Sequence, residues 1–570
     1  MRTVLFSVTL AIACAAAGAP VARAVTPGAV PPRGVSARSS RSAAVSRLID
    51  EEMKGSGRIK PARVTVQDNA QFIDINDIKM FVTNTGSFAY DKTTGNAGLE
   101  YPKGTQKTCV FAAGMWLGGQ VSGATRVALS EYNDEFGAGA MVGTLPDDRT
   151  KQEYKIYKLY KSYPTPLARD EALADYNAGA LIHGAPAVSV QSDGTLNIFG
   201  DEMLWAVYND ADSTLHTVRE GSTSPLGVEV QQTTFAFRRQ GALGSTIFIQ
   251  YKIINKGGNF LDQMYVSQWS DPDDGYAGDD LVGCDTTLSV GYVYNGAAND
   301  NIYGTSVPAV GYDFFQGPKV GGVPLGMKSF NGYTNGTDPT DVNKTYNLMQ
   351  GNDPSTGSPR INPITNQPTT FMFSGDPVTG TGWLDTNTPQ DVRLQLSSGP
   401  FTMAPGDTQV VTCAIIVGQS LARFTSVSLM RFFDLEAQLA FDLDFNLPPP
   451  PNSPVAVATP TPGGVTLTWD TTSENYNPGQ FNPQFNSYGW EGYVIYQGAS
   501  VAGPWTRLAT FDRVNGITTV TDSVYDVNQG VVQPFVTAHG TDIGTQYSMK
   551  FTGDAVRGGP LHNGTTYYYS

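Results

Sequence analysis

Apolar and polar residues alternate along much of the chain, most clearly between residues 228 and 270. In STIFIQYKIIN, residues 245–255, four apolar side chains recur at every second position: Ile247, Ile249, Tyr251 and Ile253. Successive side chains of a strand point to opposite faces of its sheet, so this period of two predicts a strand with one buried face. Together with VEVQQTTFAFRR before it and QMYVSQWS after it, the pattern predicts an antiparallel β-sandwich.

The same pattern returns in VRLQLSSGPFTMAPGDTQVVTCAIIVG, residues 392–418. It predicts two strands on either side of a Pro405-Gly406-Asp407 turn, as the closing strands of the same sandwich. The preceding residues, 296–385, are rich in Gly, Pro and Asn and are too many for an ordinary connection. We expect them to form a long loop insertion, either with its own packing or with a function.

One helix is predicted, over SVSLMRFFDLEAQLAFDLDF, residues 426–445. Its apolar residues recur at intervals of three and four and form a single stripe: Val427, Met430, Phe433, Ala437, Ala440 and Phe441. The stretch LPPPPNSP follows the helix. Because consecutive prolines hold the chain extended, residues 447–453 are predicted to be a stiff linker between domains.

The stretches SPVAVATPTPGGVTLTWD, WEGYVIYQGASVAGPWTRLATF and LHNGTTYYYS resemble a fibronectin type III domain over residues 454–570. The resemblance rests on Trp469, on Tyr493 and Tyr496, and on the tyrosine-corner pattern of Leu561, Thr565 and Tyr567. Asn563 stands where the family usually has proline. The last strand of the family lies beyond Ser570, so we expect an incomplete domain. The family mostly serves as a spacer or adhesion module.

The larger part of the chain, residues 71–446, resembles a group of large secreted proteins of Bacteroidetes-like bacteria. The resemblance is carried by GMWLGG, GDEMLWAVYNDAD, GVEVQQTTFAF, WSDPDDGYAGDDLVGCD, GDPVTGTGW and SSGPFTMAPGDTQ. It implies a secreted protein and supplies no catalytic residues.

Residues 1–24 have the composition of a secretory signal peptide. Arg2 precedes an apolar stretch, and Ala22 and Ala24 have the A-x-A spacing of a cleavage site. A lipoprotein signal through Cys14 is the alternative, although the residues before it lack the usual leucine. Residues 25–63 are poor in aromatic residues and are predicted to be a disordered leader. The protein is therefore expected to be secreted or displayed on a bacterial cell surface.

Composition excludes several classes of partner. The net charge of −15 and the pI near 4.7 oppose binding to nucleic acid or to an anionic membrane, and no later apolar run is long enough to span a bilayer. Three cysteines remain after the signal, too few for a disulfide framework, although a bridge between Cys109 and Cys413 stays open. We expect a mainly β, multi-domain protein with an N-terminal β-rich region at 64–225 and the sandwich at 226–446.

The strongest chemical signal is SQWSDPDDGYAGDDLVGCD, residues 267–285. It holds six aspartates: Asp271, Asp273, Asp274, Asp279, Asp280 and Asp285. Neighbouring carboxylates repel one another, and no Lys or Arg lies between Gly257 and Lys319 to neutralise them locally. Ca²⁺ binds six to eight oxygens and is a suitable counter-ion for such a glycine-interrupted run. The sequence therefore predicts a calcium site made from these six residues.

Two observations leave an alternative open. The spacing is not that of an EF-hand, since the glycine falls one place early and no glutamate closes the loop. A solvated acidic loop without metal is also common in a protein of this charge.

Two functions are consistent with these features. The first is a binding or structural protein of the adhesion type, with a glycan or another surface protein as its partner. The second is an extracellular polysaccharide hydrolase with carboxylates at Glu131, Asp134, Glu135, Glu202, Asp210 and Asp212. Exposed tryptophans would stack on sugar rings, and the candidates are Trp116, Trp205, Trp269 and Trp383. Zinc hydrolysis is not indicated, because the four histidines include no pair at ligand spacing.

Overall fold

The computed structural model describes residues 70–445, 451–480, 489–498, 505–526 and 531–570. These residues form two compact units, one from residues 70–442 and the other from residues 443–526 and 532–570. The signal peptide, the leader and residues 447–450 of the linker lie outside the described residues.

The larger unit is built from short and long strands with three helices. In chain order the strands are β1 Ala70–Ile73, β2 Lys79–Thr83, β3 Ser87–Phe88, β4 Tyr90–Asp91, β5 Asn96–Ala97, β6 Leu99–Glu100, β7 Thr108–Val110, β8 Ala112–Val121, β9 Ala124–Leu129, β10 Gly137–Ala138, β11 Met141–Val142, β12 Leu145–Pro146, β13 Tyr157–Tyr160, β14 Glu202–Asn209, β15 Val228–Ala236, β16 Thr246–Asn255, β17 Leu261–Asp271, β18 Asp280–Asp285, β19 Val290–Asn295, β20 Pro308–Gln316, β21 Lys319–Val320, β22 Val323–Pro324, β23 Ser329–Thr334, β24 Arg360–Ile361, β25 Pro368–Thr369, β26 Val392–Met403 and β27 Thr408–Gln419. The described helices are α1 Pro166–Gly179, α2 Val342–Met349 and α3 Arg423–Asp442. Short 3-10 turns include Gly241–Ser245 and Ala277–Asp279.

Two antiparallel sheets form the body of this unit. The first has the order β23-β26-β17-β8-β3-β2-β6-β7, with β1 beside β2 and β9 beside β8. The second has the order β10-β14-β15-β16-β27-β20-β19-β18, with β13 beside β14. One apolar core takes side chains from both sheets, among them Met115 and Leu394 from the first and Ile249 and Ile415 from the second. The prediction of a mainly β, antiparallel sandwich is confirmed.

Each sheet also has an outer face that a helix covers. On the first sheet, α2 places Tyr346 and Met349 in a cluster with Trp116 and Trp269. On the second sheet, α3 packs against β20 and β27. The predicted helix is therefore confirmed, with both ends three residues earlier than the pattern indicated.

Helix α3 lies against β27 at a glycine. A Cβ on Gly418 would lie 2.3 Å from the backbone nitrogen of Met430, closer than atoms can approach. We predict that Gly418→Ala lowers the free energy of unfolding by about 1–3 kcal/mol, because the helix must move outward. Gly137→Ala is the control, since its Cβ would meet only the end of the Leu215 side chain. Urea denaturation measures both changes, and equal losses would contradict this packing.

The structure corrects the expected insertion at 296–385. This segment supplies β20, which pairs with β27 and β19 inside the second sheet, and β23, an edge strand of the first sheet. The closing strands β26 and β27 also lie in different sheets, so the Pro405-Gly406-Asp407 turn carries the chain from one sheet to the other. Apolar alternation marks a strand, but it does not identify the strand's partner.

The residues before 226 do not form a separate unit. Strands β8 and β14 pair with β17 and β15, so both sheets combine strands from both sides of that boundary. The three described cysteines are buried and free: Cys109, Cys284 and Cys413. The possible bridge between Cys109 and Cys413 is therefore not formed.

The second unit is also antiparallel. Its strands are β28 Ala456–Thr461, β29 Gly464–Trp469, β30 Gly492–Gly498, β31 Trp505–Asp512, β32 Thr519–Asp526, β33 Val531–His539, β34 Ser548–Phe551 and β35 Tyr568–Tyr569. Trp469 and Tyr493 lie in its apolar core. The Tyr567 hydroxyl accepts a hydrogen bond from the backbone N–H of His562 at 2.8 Å, a contact of the kind that a tyrosine corner makes. The fibronectin type III resemblance stays a prediction.

Candidate metal centre

The candidate site lies at one end of the first sheet, where β17 ends and β26 begins. Asp271 is the last residue of β17, and the pairing of Ser270 with Leu394 places it beside Arg393 of β26. Because the two strands are antiparallel, the residues that follow β17 and the residue that precedes β26 meet at the same end of the sheet. These residues are Asp273 and Asp391.

Three carboxylates converge there. One oxygen each from Asp271, Asp273 and Asp391 lies within 4.8 Å of the others. Asp271 is buried, whereas Asp273 and Asp391 are half-buried. Oxygens that share one cation at 2.3–2.6 Å are separated by no more than about this distance. The acidic triad, as we call these three residues, can therefore hold a metal ion that enters from its partly exposed side.

Arg393 is the cation that the structure places beside the triad. Its guanidinium lies 3.3 Å from Asp271, contacts Asp391 and lies 3.8 Å from Asp338. The Tyr132 hydroxyl donates a hydrogen bond to the same Asp271 oxygen, Oδ2. The other oxygen of Asp271, Oδ1, is buried and has no hydrogen-bond partner among the described residues. This oxygen, on the most buried member of the triad, is therefore available to bind a metal ion.

One guanidinium cannot neutralise the carboxylates around it. Burial, and then the neighbouring acids, raise the pKa of Asp271 to about 7 despite the attraction of Arg393. Burial and the charge of Asp271 raise the pKa of Asp273 well above its usual range. Without a further cation, this group retains protons near neutral pH; with one, it can ionise.

Aromatic side chains support the triad from the outer face of the first sheet. Trp269 and Asp271 are two residues apart on β17 and share that face. The Trp269 ring meets the Tyr132 ring edge-on at 5.2 Å and donates its N–H to the Tyr333 hydroxyl at 2.8 Å. Asp271 and Tyr132 are thereby held on packed, hydrogen-bonded groups rather than on a mobile loop.

Three more of the predicted ligands form a neighbouring group. Asp274 and Asp280 are buried, and the backbone N–H of Asp274 donates to Asp280 at 3.0 Å. Both oxygens of Asp274 and one oxygen each of Asp279 and Asp280 are buried without a hydrogen-bond partner. Burial raises the pKa of all three, and the nearby charge of Asp300 raises that of Asp274 further. This group borders the triad through the interaction of Asp273 with Asp280.

The last predicted ligand, Asp285, belongs elsewhere. It ends β18, and its carboxylate lies 3.2 Å from the Arg431 guanidinium of α3. Its other oxygen accepts hydrogen bonds from the backbone N–H groups of Thr287 and Leu288. The prediction that all six aspartates surround one ion is therefore wrong, because β18 separates Asp285 from Asp280.

The site also contains residues that sequence analysis missed. Asp391, Asp338 and Arg393 lie in or near the strand pair β23 and β26, more than 50 positions after the acidic run. In the sequence, Asp391 and Arg393 are marked only by the stretch QDVRLQL, in which an acid and a base flank the first residue of a predicted strand. It does not reveal which other strand lies beside it.

The carboxylates considered for hydrolysis have structural partners instead. Asp210 accepts hydrogen bonds from the backbone N–H groups of residues 226–228, and Glu202 pairs with Lys158 at 2.5 Å. Asp134 contacts Lys92, Thr85 and Ser87. The side chains of these three acids are almost completely buried within the fold.

One cluster within this set combines Glu135, His216 and Asp210. One ring nitrogen of His216, Nδ1, lies 3.8 Å from the Glu135 carboxylate, and the other, Nε2, lies 3.8 Å from the Asp210 carboxylate. The Glu135 carboxylate also accepts hydrogen bonds from the backbone N–H groups of Val218 and Ser222. Burial raises the pKa of Glu135 to about 8. The His216 side chain is 1% exposed, so the cluster is buried within the fold.

Most of the tryptophans considered for sugar binding are buried. Trp116, Trp205 and Trp269 are 0–1% exposed. Trp383 is half-buried against Phe373, at 5.6 Å between ring centroids. Three of the four proposed stacking positions are thus core residues.

No described helix is both long and apolar enough to cross a membrane. When the chain is compared with protein-family models and with curated proteins, neither comparison finds a match.

Proposed function

We propose that the protein is a secreted or cell-surface structural or binding protein whose sandwich is stabilised by calcium at the acidic triad. The observation that carries this proposal is the convergence of Asp271, Asp273 and Asp391 within 4.8 Å. These three residues come from the end of β17, the loop after it and the position just before β26. A cation bound to all three would join these segments.

Calcium fits the donor set better than a transition metal does. The triad offers only carboxylate oxygens, which are hard ligands, and no described histidine or cysteine belongs to it. Ca²⁺ tolerates irregular geometry and completes six to eight ligands with carbonyl oxygens and water. The half-buried positions of Asp273 and Asp391 leave room for such water ligands.

The expected role of the ion is mechanical. Arg393 offsets one of the charges at this end of the sheet, and the ion would offset more, so that the carboxylates can ionise without repelling the strands apart. A surface protein with such a calcium site would be rigid where calcium is abundant. An affinity of about 10⁻⁴–10⁻³ M is sufficient in an extracellular setting.

Calorimetric titration with calcium chloride tests the proposal. The wild-type protein is expected to bind calcium saturably, and Asp391→Asn is expected to lose most of the affinity because it removes one ligand charge. At a calcium concentration of about 10–100 times Kd, the ion should add about 1.4–2.7 kcal/mol to the free energy of unfolding.

Asp285→Asn is the matched control, since this aspartate lies in the same acidic run but pairs with Arg431. It should bind calcium as the wild type does. An equal loss of calcium affinity in both variants, or no heat of calcium binding to the wild type, would contradict a calcium site at the triad.

A further inference from the structure

A second feature lies on the other side of the molecule's core, between α3 and the second sheet. A cavity of about 290 Å³ opens there, lined among others by Ser289, Phe315, Pro324, Asp434, Leu435 and Gln438. Its size is close to the lower limit of pockets that hold small molecules. Its lining combines two aromatic rings and aliphatic groups with two hydroxyl groups, an amide and one carboxyl group.

The carboxyl group is that of Asp434, and it has an acidic neighbour. Asp434 of α3 is 2% exposed and Asp313 of β20 is 1% exposed, and their side chains are within hydrogen-bonding range of each other. One oxygen of each, Oδ1, is buried and has no hydrogen-bond partner in the described part of the chain. A buried acid on the inner face of a helix is costly unless something compensates its charge.

Among the described residues, no basic side chain compensates the charge of Asp313 or Asp434. The cavity lining contains no lysine, arginine or histidine. Arg431, one turn earlier on α3, is held by Asp285 at 3.2 Å and by Asp376 at 2.8 Å. A single proton shared by Asp313 and Asp434 would leave one negative charge beside the cavity. Burial raises the pKa of Asp434 to about 7, in agreement with such sharing.

We propose that this cavity binds a small organic ammonium ion, with its charged nitrogen at Asp434 and its apolar part against Phe315 and Leu435. A divalent metal fits less well, since it requires about six oxygen ligands and the side chains of the lining offer one carboxyl group, one amide and two hydroxyl groups. A neutral ligand would leave the acidic pair uncompensated. The inference is independent of calcium at the acidic triad.

Calorimetric titration with n-butylammonium chloride tests the proposal, with 1-butanol as the uncharged probe of the same length. We expect saturable binding of n-butylammonium and no saturable binding of 1-butanol. Asp434→Asn should weaken binding, because the remaining negative charge then lies on Asp313, which is not part of the lining.

A rim variant separates binding from folding. Leu435 lines the cavity and is 55% exposed, so Leu435→Arg should leave the fold intact while bringing a tethered cation to the opening. It should weaken n-butylammonium binding by at least about tenfold. Leu421→Arg, at a leucine that is 57% exposed and is not part of the lining, should leave binding unchanged. Equal binding of both probes, absence of binding, or equal affinity in the two arginine variants would overturn the proposal.

Discussion

Replacing Arg393 with methionine is expected to lower the free energy of unfolding by about 3–5 kcal/mol when calcium has been removed with EDTA. Arg393 is 4% exposed and contacts Asp271 and Asp391, so its loss leaves buried carboxylates without a cation. Urea denaturation in EDTA measures the change. Added calcium should recover part of the loss, because the ion takes over the missing positive charge.

Arg126→Met is the matched control for this substitution. Arg126 is half-buried and donates to the backbone carbonyl of Pro225 at 2.7 Å, a neutral acceptor. Its replacement should cost less than about 2 kcal/mol, and calcium should not restore the loss. If Arg393→Met and Arg126→Met behaved alike, Arg393 would not be the counter-ion of the acidic triad.

The second large effect is a dependence of the folding stability on pH, and calcium is expected to reverse it. In EDTA, the folded protein should lose stability as pH rises from about 4 to above 7. Burial holds the pKa of Asp271 at about 7 and that of Asp273 well above the usual range, so the folded state binds protons that the unfolded state has released. The stability that these groups contribute is fully present when the pH is below their pKa in the unfolded state. It is lost as the pH rises through their pKa in the folded state.

With calcium present, the same groups are expected to give the opposite trend. Metal ligands must be deprotonated, so calcium affinity should rise with pH over this range and binding should release protons. Melting temperatures between pH 5 and 8, with and without calcium, measure both trends, and calorimetry in buffers of different ionisation enthalpy measures the protons. Parallel pH profiles with and without calcium would show that these carboxylates do not bind the ion.

Much of the fold follows from local patterns in the sequence. The period of two around Ile249 predicted β16 and its buried face, and the spacing of Val427 and Met430 predicted α3. These patterns are local because a strand or helix must turn its own apolar residues toward the core.

Pairing between distant strands does not follow from such patterns. Strand β20 lies in a segment rich in turn residues and still occupies an inner position of the second sheet. Strands β26 and β27 are joined by a short turn and lie in different sheets. Sheet membership depends on contacts between residues that are far apart in the chain, which one sequence does not reveal.

The candidate site illustrates the same limit. The acidic run includes Asp271 and Asp273, but the third carboxylate of the triad, Asp391, and the counter-ion, Arg393, lie about 120 residues later and reach the site through strand pairing. Conversely, Asp285 is close to Asp280 in sequence, yet the length of β18 lies between them. Proximity in sequence was a poor guide because the run includes a strand.

The central claim is that Asp271, Asp273 and Asp391 bind one calcium ion. Diffraction from crystals grown in about 10 mM calcium chloride tests it most directly, through the anomalous difference density of the ion. A peak about 2.3–2.6 Å from an oxygen of each of the three carboxylates is the predicted result. A map without density at the triad, while the crystals are saturated with calcium, would contradict it.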